Sequence, residues 1–271
     1  MSKIITFAKL GQHVAGRWAN QMFSIAGTIG IARKNGFDFA FPEWKNHEGR
    51  TFDPSIDIEC QKEFVNPLPR YEGPELPEIS IPWGYHDIKL TESVSILGHM
   101  QSEKYFEHAI DEVRWYLTMK DEGPSEDYVA VHWRAGDYGP ESSPQHPDGN
   151  SYHPRMNMRY YGPAMALFHE AKFLIFSDDM PGARRMFGDS VDYSEEGYFD
   201  DFRRMKRCRH FIIANSSYSL MSAILGDAPD KKVVAPYPWF GGPWRTMDMK
   251  DIYSPGWTLV NWESSEIKQA A

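Results

Sequence analysis

Cysteine, excess positive charge and long apolar runs are all scarce in this sequence. Cys60 and Cys208 are the only two cysteines in 271 residues, and their spacing matches no metal site, which predicts reduced, partly buried thiols and no disulfide framework. With 29 Lys and Arg against 38 Asp and Glu, the net charge is -9, the wrong sign for a surface that binds nucleic acid. No apolar stretch is long enough to span a bilayer, and residues 1–10 look like a short strand, not a secretory signal. We therefore expect a cytoplasmic protein with neither a nucleic-acid partner nor a membrane span.

The motifs that usually bind phosphate through a metal ion or a dinucleotide fold are missing as well. There is no Asp-x-Asp, no Gly-x-Gly-x-x-Gly, no Gly-x-x-x-x-Gly-Lys and no His/Cys cluster with zinc spacing. A diphosphate ligand would then be neutralised by the protein itself, through arginine and a helix N-terminus. The sequence therefore predicts no metal ion and no other cofactor.

The hydrophobic pattern of the first half predicts alternating strands and helices. An apolar run at residues 4–8 precedes apolar residues at helical spacing from 22 to 32, a helix stop at Asn35-Gly36 and a second strand. Residues 43–82 contain six prolines and show no hydrophobic period, so they form either a border of a ligand site or a structural loop. A strand at 94–97 and a helix after it complete this half.

The second half repeats the alternation beyond a polar segment at 120–127, which is the best linker candidate. We interpret the densest basic cluster, residues 203–209, as the solvated face of an amphipathic helix. The remaining apolar runs, each followed by a helical pattern or a polar loop, lie at 128–132, 173–176, 211–214 and 233–235.

Strands that alternate with helices imply parallel sheets, and two such blocks imply two halves with a cleft between them. We therefore predict an α/β fold with two Rossmann-like domains. The first covers residues 1–122 and the second residues 123–247, and the tail at 248–271 is expected to pack back on the first.

Polar residues follow four of the predicted strands, where ligands collect in an open parallel sheet. They supply arginine, carboxylates, amides and hydroxyls to one region. These candidates are Arg17, Asn20 and Gln21 after the first strand, then His132, Arg134 and Asp137, then Asp178 and Asp179, and finally Asn215, Ser216 and Ser217.

Arg134 and the two serines suit an anionic ligand, although each has a structural alternative. Arg134 follows a buried strand and needs an anion nearby, which is either a phosphate or a carboxylate such as Asp137. Ser216 and Ser217 precede an apolar helix, so they either present amides to a phosphate or form an ordinary N-cap.

Asp178 and Asp179 are adjacent and point in different directions, unlike the paired carboxylates of glycosidases. One of them could accept hydrogen bonds from the edge of a guanine base. However, Asp-Asp before Pro181 is also an ordinary helix start. His132 taken alone is best interpreted as a histidine packed at a strand end.

The order of these motifs resembles that of the α-1,2-fucosyltransferase family, glycosyltransferase family eleven. Residues 16–23 are similar to the family's Gly-Arg-Leu-Gly-Asn-Gln-Met-Phe, and residues 131–138 to its His-x-Arg-Arg-Gly-Asp-Tyr. Residues 176–179, 213–219 and 236–240 resemble its Phe-Ser-Asp-Asp, Ile-Ala-Asn-Ser-Ser-Phe-Ser and Pro-x-x-Trp-Phe signatures. Five motifs in the family's order across most of the chain make the resemblance specific.

The resemblance implies two domains of the GT-B kind, with the acceptor on the first domain and the donor nucleotide on the second. It implies inverting, metal-independent transfer of L-fucose from GDP-fucose to a glycan hydroxyl, expected to be O2 of a terminal galactoside. Arg134 would stabilise the β-phosphate as the glycosidic bond breaks. By the same analogy, His132, Asp178 and Asp179 would contact the guanine or the ribose. Asn20, Ser216 and Ser217 would contact the pyrophosphate or the fucose. The remaining donor-binding residues would be Arg17, Gln21, Asp137 and Asn215.

The sequence departs from the family pattern at three places. Ala135 replaces the second arginine, Ala19 the second glycine, and Leu220-Met221 two tryptophans. The first change removes a charge near the donor. Two alternative functions therefore remain, which are transfer of another GDP-sugar and binding of a GDP-sugar or glycan without catalysis.

Inversion also requires a base that takes the proton of the acceptor hydroxyl. His13, Glu43 and Asp137 are candidates that neither the residues nor the resemblance separates.

Overall fold

The chain folds into two compact units, Met1–Asp121 and Glu122–Ala271. Our computed structural model describes residues 2–45, 60–136, 138 and 152–270. Each unit is built on its own sheet, and all strand pairs but one are parallel among the described residues. The predicted α/β class is therefore confirmed.

The first unit contains a four-stranded parallel sheet in the order β2-β1-β4-β3. Strand β2 lies on one side of β1 and β4 on the other, so the strand order reverses between β1 and β4. Such a switch point leaves a crevice beyond the carboxyl ends of the two strands. The elements are β1 (Ile4–Thr6), α1 (Trp18–Asn35), β2 (Asp38–Phe39), β3 (Glu78–Ser80), β4 (Val94–Leu97) and α2 (Ile110–Tyr116).

Helix α1 is the buried centre of the first unit, with every side chain from 21 to 32 inaccessible to solvent. It ends where the sequence predicts, because Gly36 adopts the left-handed conformation (φ 67°) and its N–H bonds to the carbonyls of Ala32 and Arg33. The helix packs closely against the chain that follows β4. A Cβ atom on Gly30 would lie 2.0 Å from the carbonyl oxygen of Tyr105.

The second unit contains a seven-stranded sheet in the order β11-β10-β9-β8-β5-β6-β7. Strand β6 pairs with one side of β5 and β8 with the other, so the switch point of this sheet lies between β5 and β8. The strands are β5 (Glu126–Trp133), β6 (Phe173–Ser177), β7 (Asp192–Tyr193), β8 (Cys208–Ile212), β9 (Val233–Tyr237), β10 (Thr258–Asn261) and β11 (Ile267–Gln269). The helices are α3 (Met158–Ala166), α4 (Met180–Phe187), α5 (Tyr198–Arg207) and α6 (Ser217–Leu225).

The C-terminal tail corrects one expectation from the sequence. Residues 248–271 were predicted to pack on the first domain, but β10 pairs in parallel with β9 and in antiparallel with β11. Leu259 and Val260 are buried there. The tail therefore belongs to the second unit, because the open edge of β9 supplies partners for its backbone N–H and C=O groups.

The basic cluster at 203–209 corrects another expectation, because much of it is not a solvated face. Glu126 at the start of β5 pairs with Arg204 at 3.2 Å and with Arg207 at 2.5 Å, and Glu122 pairs with Lys206. The side chains of these three basic residues are only 13 to 22% exposed. The cluster therefore anchors α5 to the beginning of β5.

The two cysteines are buried thiols outside any disulfide, as predicted, and they lie in different units. Burial raises the pKa of both Cys60 and Cys208 to about 12, so neither is a thiolate nucleophile near neutral pH. Within the described ranges, none of the helices combines the length and the apolar character needed to cross a bilayer.

Candidate functional site

The candidate site of the second unit lies at the carboxyl ends of β5 and β8. Strand β5 carries His132 and is followed by Arg134, while the chain after β8 carries Asn215 and Ser216. Because β5 and β8 are neighbours across the switch point, these residues lie at one edge of the sheet. A 2.9 Å hydrogen bond between His132 Nδ1 and Ser219 Oγ joins β5 directly to α6.

Arg134 forms an ion pair with Asp178, which follows β6. Strand register explains the pair, because Trp133 lies opposite Ser177 and the next residue of each strand is therefore adjacent. Arg134 Nη1 lies 2.7 Å from Asp178 Oδ2, with the two side chains 16% and 26% exposed. Asp137, the partner considered from the sequence, lies outside the described residues.

Asp178 also holds the backbone beyond β5. Its Oδ1 accepts a hydrogen bond from the N–H of Ala135 at 2.8 Å, so a single carboxylate fixes both the side chain and the main chain at this strand end. The guanidinium carbon of Arg134 lies 5.5 Å from the ring centroid of Tyr138. Arg134 is therefore oriented by the protein without any ligand.

Asp179 has a different role from its neighbour, as their adjacency predicts. It is the N-cap of α4, and its Oδ1 accepts the N–H of Gly182 at 2.9 Å. Its own N–H donates to Ser177 Oγ at 3.0 Å. The helix start considered for this pair is thus present, and a guanine contact stays a prediction.

His132 is a buried, neutral group at the base of the site, only 5% exposed. Burial is the main cause that holds its pKa far below the ordinary 6.5; the Asp178 carboxylate opposes this effect and Arg134 adds to it. The ring centroid lies 5.4 Å from that of Tyr218. His132 can therefore offer a hydrogen bond, but not a positive charge, near neutral pH.

Helix α6 begins at the site, and the side chain of its N-cap serine does not cap the first turn among the described residues. Ser216 is the N-cap residue with extended backbone (φ -131°, ψ 131°), yet within the described part of the chain its side chain makes no capping hydrogen bond. Asn215 Nδ2 donates to the carbonyls of Pro154 and Trp239 at 3.3 Å each. The first-turn amides of α6, including that of Ser217, form the kind of helix start that binds anions.

The three candidates of the first unit lie at the start of α1. Gln21 is 1% exposed, with Nε2 donating to the Gly16 carbonyl at 2.9 Å and Oε1 accepting from Trp44 Nε1 at 2.6 Å. These bonds account for its burial without a ligand. Asn20 is partly exposed, and Arg17 is the N-cap residue of α1.

Two tyrosines that were not among the residues predicted from the sequence hold the strand ends in place. Tyr161 donates to the carbonyl of His132 at 2.7 Å, and Tyr138 donates to the carbonyl of Asn215 at 3.0 Å. Tyr161 is fully buried in α3. Tyr161 lies in a helical pattern that follows a buried strand, and a buried phenol needs a hydrogen-bond acceptor. These two facts together could have indicated a bond from Tyr161 to that strand.

Among the described residues, no three His, Cys, Asp or Glu side chains gather in an arrangement that could hold a metal ion. Metal independence stays a prediction.

Replacing His132 with asparagine should make the protein less sensitive to acid. Burial keeps the folded imidazole neutral, so below about pH 6.5 the unfolded chain binds a proton that the folded chain does not. This difference removes about 1.4 kcal/mol of unfolding free energy per pH unit as the pH falls. In His132→Asn, the loss between about pH 6.5 and 4.5 should be shallower by that amount, as measured by urea unfolding.

Ser222→Ala is a suitable control for this measurement. Ser222 lies on α6, is fully buried and donates to the carbonyl of Tyr218 at 3.0 Å, but it does not titrate. This variant should lose stability at every pH and keep the original slope. An unchanged slope in His132→Asn would show that burial does not hold this ring neutral.

Comparison with known proteins places the chain in a family. The model of Glycosyl transferase family 11 matches residues 98–261, which is more than half of the chain. The O-antigen biosynthesis glycosyltransferase WbnK of Escherichia coli is 33% identical over 124 residues, covering 42% of this chain and 39% of that protein. The alpha-1,2-colitosyltransferase of Escherichia coli is 27% identical over 169 residues, covering 55% of this chain and 57% of that protein. The matches thus span less than two thirds of either relative.

Among solved structures, the fucosyltransferase NodZ from Bradyrhizobium is similar with a TM-score of 0.46 and 12% identity, over 83% of this chain and 93% of that one. A likeness this distant supports no functional statement. The family match covers the candidate site of the second unit from β5 to β10. The chain therefore belongs to glycosyltransferase family 11.

Proposed function

We propose that the protein transfers L-fucose from GDP-fucose to a glycan hydroxyl, with inversion and without a metal ion. The observation that carries the proposal is the site at the switch point of the second sheet. There a pre-oriented Arg134 after β5 and the start of α6 after β8 lie at one strand edge. A guanidinium and helix-start amides are the groups that bind a diphosphate in the absence of a metal.

The chemistry requires charge stabilisation more than covalent participation. The bond between the anomeric carbon and the β-phosphate oxygen breaks, the acceptor oxygen bonds to that carbon, and GDP leaves with added negative charge. Arg134 and the α6 amides oppose that charge most strongly in the transition state, which is where stabilisation raises the rate. The acceptor proton leaves to a base that we do not assign.

The remaining donor contacts follow from hydrogen-bonding capacity. His132 is neutral and suits a ribose hydroxyl or a guanine edge. Asp178 and Asp179 retain lone pairs on oxygens that already accept one hydrogen bond each. The proposed donor-binding set also includes Arg17, Asn20, Gln21, Asp137, Asn215, Ser216 and Ser217.

The linkage and the acceptor are the most specific elements of the proposal. We propose O2 of a terminal galactoside as the acceptor atom and the first unit as the acceptor-binding unit. Membership of family 11 and the similarity to a relative named for α-1,2 transfer support this linkage. We also propose a cytoplasmic location.

Transfer of a different sugar is the second candidate function, and two observations favour it. The alpha-1,2-colitosyltransferase is named for another sugar, so donors differ among the relatives of this chain. Ala135 stands where the family motif has a second arginine, and its side chain is buried beside the Arg134–Asp178 pair. The loss of that charge changes the surroundings of the donor.

Calorimetry with GDP, GDP-fucose and GDP-mannose tests the proposal, followed by assays of slow donor hydrolysis with and without EDTA. We expect GDP and GDP-fucose to bind, GDP-fucose to be hydrolysed preferentially, and EDTA to have no effect. Preferential hydrolysis of GDP-mannose would favour the second candidate. Binding of GDP without cleavage of either GDP-sugar would show that the protein is an inactive relative, and loss of hydrolysis in EDTA would contradict the metal-free mechanism.

A further inference from the structure

The first unit has a switch point of its own, between β1 and β4, and its strand edge carries chemistry unlike that of the second unit. The chain leaves β4 through Gly98, His99, Met100 and Gln101. Met100 has a left-handed backbone (φ 45°), which is unfavourable for a residue with a side chain. Packing holds it there, since Met100 is 4% exposed and its side chain lies against Gly27 of α1.

An aromatic pair occupies this edge. Trp83 is 38% exposed, and its ring centroid lies 4.9 Å from that of His99 at an angle of 32°. The pair is positioned by the sheet, because β3 and β4 are neighbours and the N–H of Ile81, the residue after β3, donates to the carbonyl of Leu97 at 2.7 Å. A large indole is therefore held partly in solvent at a fixed place.

Neutral amides extend the same edge. Gln101 Nε2 donates to Asn20 Oδ1 at 2.6 Å, which ties the segment after β4 to the start of α1. Within the described part of the chain, Gln101 Oε1 and Asn20 Nδ2 make no further hydrogen bond, so an acceptor and a donor remain on the pair. His99 Nδ1 has no hydrogen-bond partner within the described residues, and burial lowers the pKa of this ring, which keeps it uncharged.

We propose that Trp83, His99 and Gln101 form the subsite for a pyranose ring of the glycan acceptor. The C–H face of the sugar packs on the exposed indole, and its hydroxyls bond to the amide of Gln101, which Asn20 positions. A neutral, partly apolar ligand fits an aromatic pair flanked by amides. This inference rests on the proposed function for the identity of the ligand, but the subsite lies wholly within the first unit.

Saturation-transfer NMR on the full chain tests the subsite with lactose and N-acetyllactosamine as probes. Both should receive saturation at their galactose protons, and Trp83→Ala should weaken their binding by about tenfold, with Trp83→Phe in between. Trp115→Ala is the matched control, because Trp115 is also an exposed tryptophan of the first unit (52%) but lies on α2. It should leave sugar binding unchanged.

Kinetics separate this subsite from the donor site. Trp83→Ala should raise the acceptor KM by about tenfold while GDP affinity and donor hydrolysis stay unchanged. Sugar binding that depends on Trp83 in a protein that cleaves no GDP-sugar would support the subsite and refute the proposed function. The subsite is refuted if wild type binds neither sugar, if Trp83→Ala binds them normally, or if GDP displaces them by stacking on Trp83.

Discussion

Replacing Arg134 with alanine is expected to lower turnover by a factor of about one hundred to one thousand. Arg134 lies after β5 at the switch point and is oriented by Asp178 at 2.7 Å. A charge that is already in place needs no reorganisation when negative charge develops on the leaving GDP, so its removal should affect turnover more than donor KM. Steady-state transfer or donor hydrolysis measures both parameters.

Arg209→Ala is the matched control for this result. Arg209 belongs to β8 but lies at its amino end, away from the site, where it pairs with Asp230 and Asp127 on the surface. This variant should keep wild-type turnover. Arg134→Lys should have an intermediate turnover, because lysine keeps the positive charge but lacks the planar guanidinium with its several N–H donors. Near-normal turnover in a well-folded Arg134→Ala protein would remove this residue from the mechanism.

Replacing Gly30 with alanine should destabilise the first unit strongly, although the same change in a helix interior usually stabilises by about 0.5–1 kcal/mol. The new Cβ would lie 2.0 Å from the carbonyl oxygen of Tyr105 and 2.6 Å from the Cα of Phe106. Both obstacles are backbone atoms, so a segment must move. We expect a loss at or above the top of the usual range for overpacking, about 1–3 kcal/mol. Urea unfolding followed by tryptophan fluorescence measures it.

Gly27→Ala on the same helix supplies the comparison. There the nearest atom is the Met100 sulfur at 2.7 Å, which belongs to a flexible side chain, although the Met100 Cβ at 2.9 Å also intrudes. Gly27→Ala should therefore cost less than Gly30→Ala. Equal stability of Gly30→Ala and wild type would mean that α1 and the chain after β4 are not packed as closely as described.

The sequence predicted the elements whose burial leaves a strong pattern. Strand β4 occupies the residues expected, 94–97, and helix α6 begins at Ser217 as expected, because each segment is mostly apolar and mostly buried. Strand β3 was missed in the proline-rich segment, since its residues are largely exposed and only the pairing with β4 makes it a strand. Strand β10 was assigned to the wrong unit because a short strand carries no information about which edge it joins.

The sequence was enough to predict which strand ends carry the residues of the candidate site. It was not enough to predict which of their side chains contact each other. Parallel topology was enough to place Arg134 and Ser216 at one edge. Among the described residues, Arg134 pairs with Asp178, because the register between β5 and β6 decides which of these side chains meet. Register depends on cross-strand packing, which a single strand's sequence does not specify.

The Arg134–Asp178 ion pair bears on product inhibition in the proposed reaction. In the proposed donor complex, a nucleotide diphosphate would share this guanidinium with a carboxylate 2.7 Å away that already compensates part of the charge. The spent nucleotide would therefore gain less from the contact than it would from an unpaired arginine. In the proposed reaction, this internal carboxylate would shorten the residence of GDP and favour the next catalytic cycle.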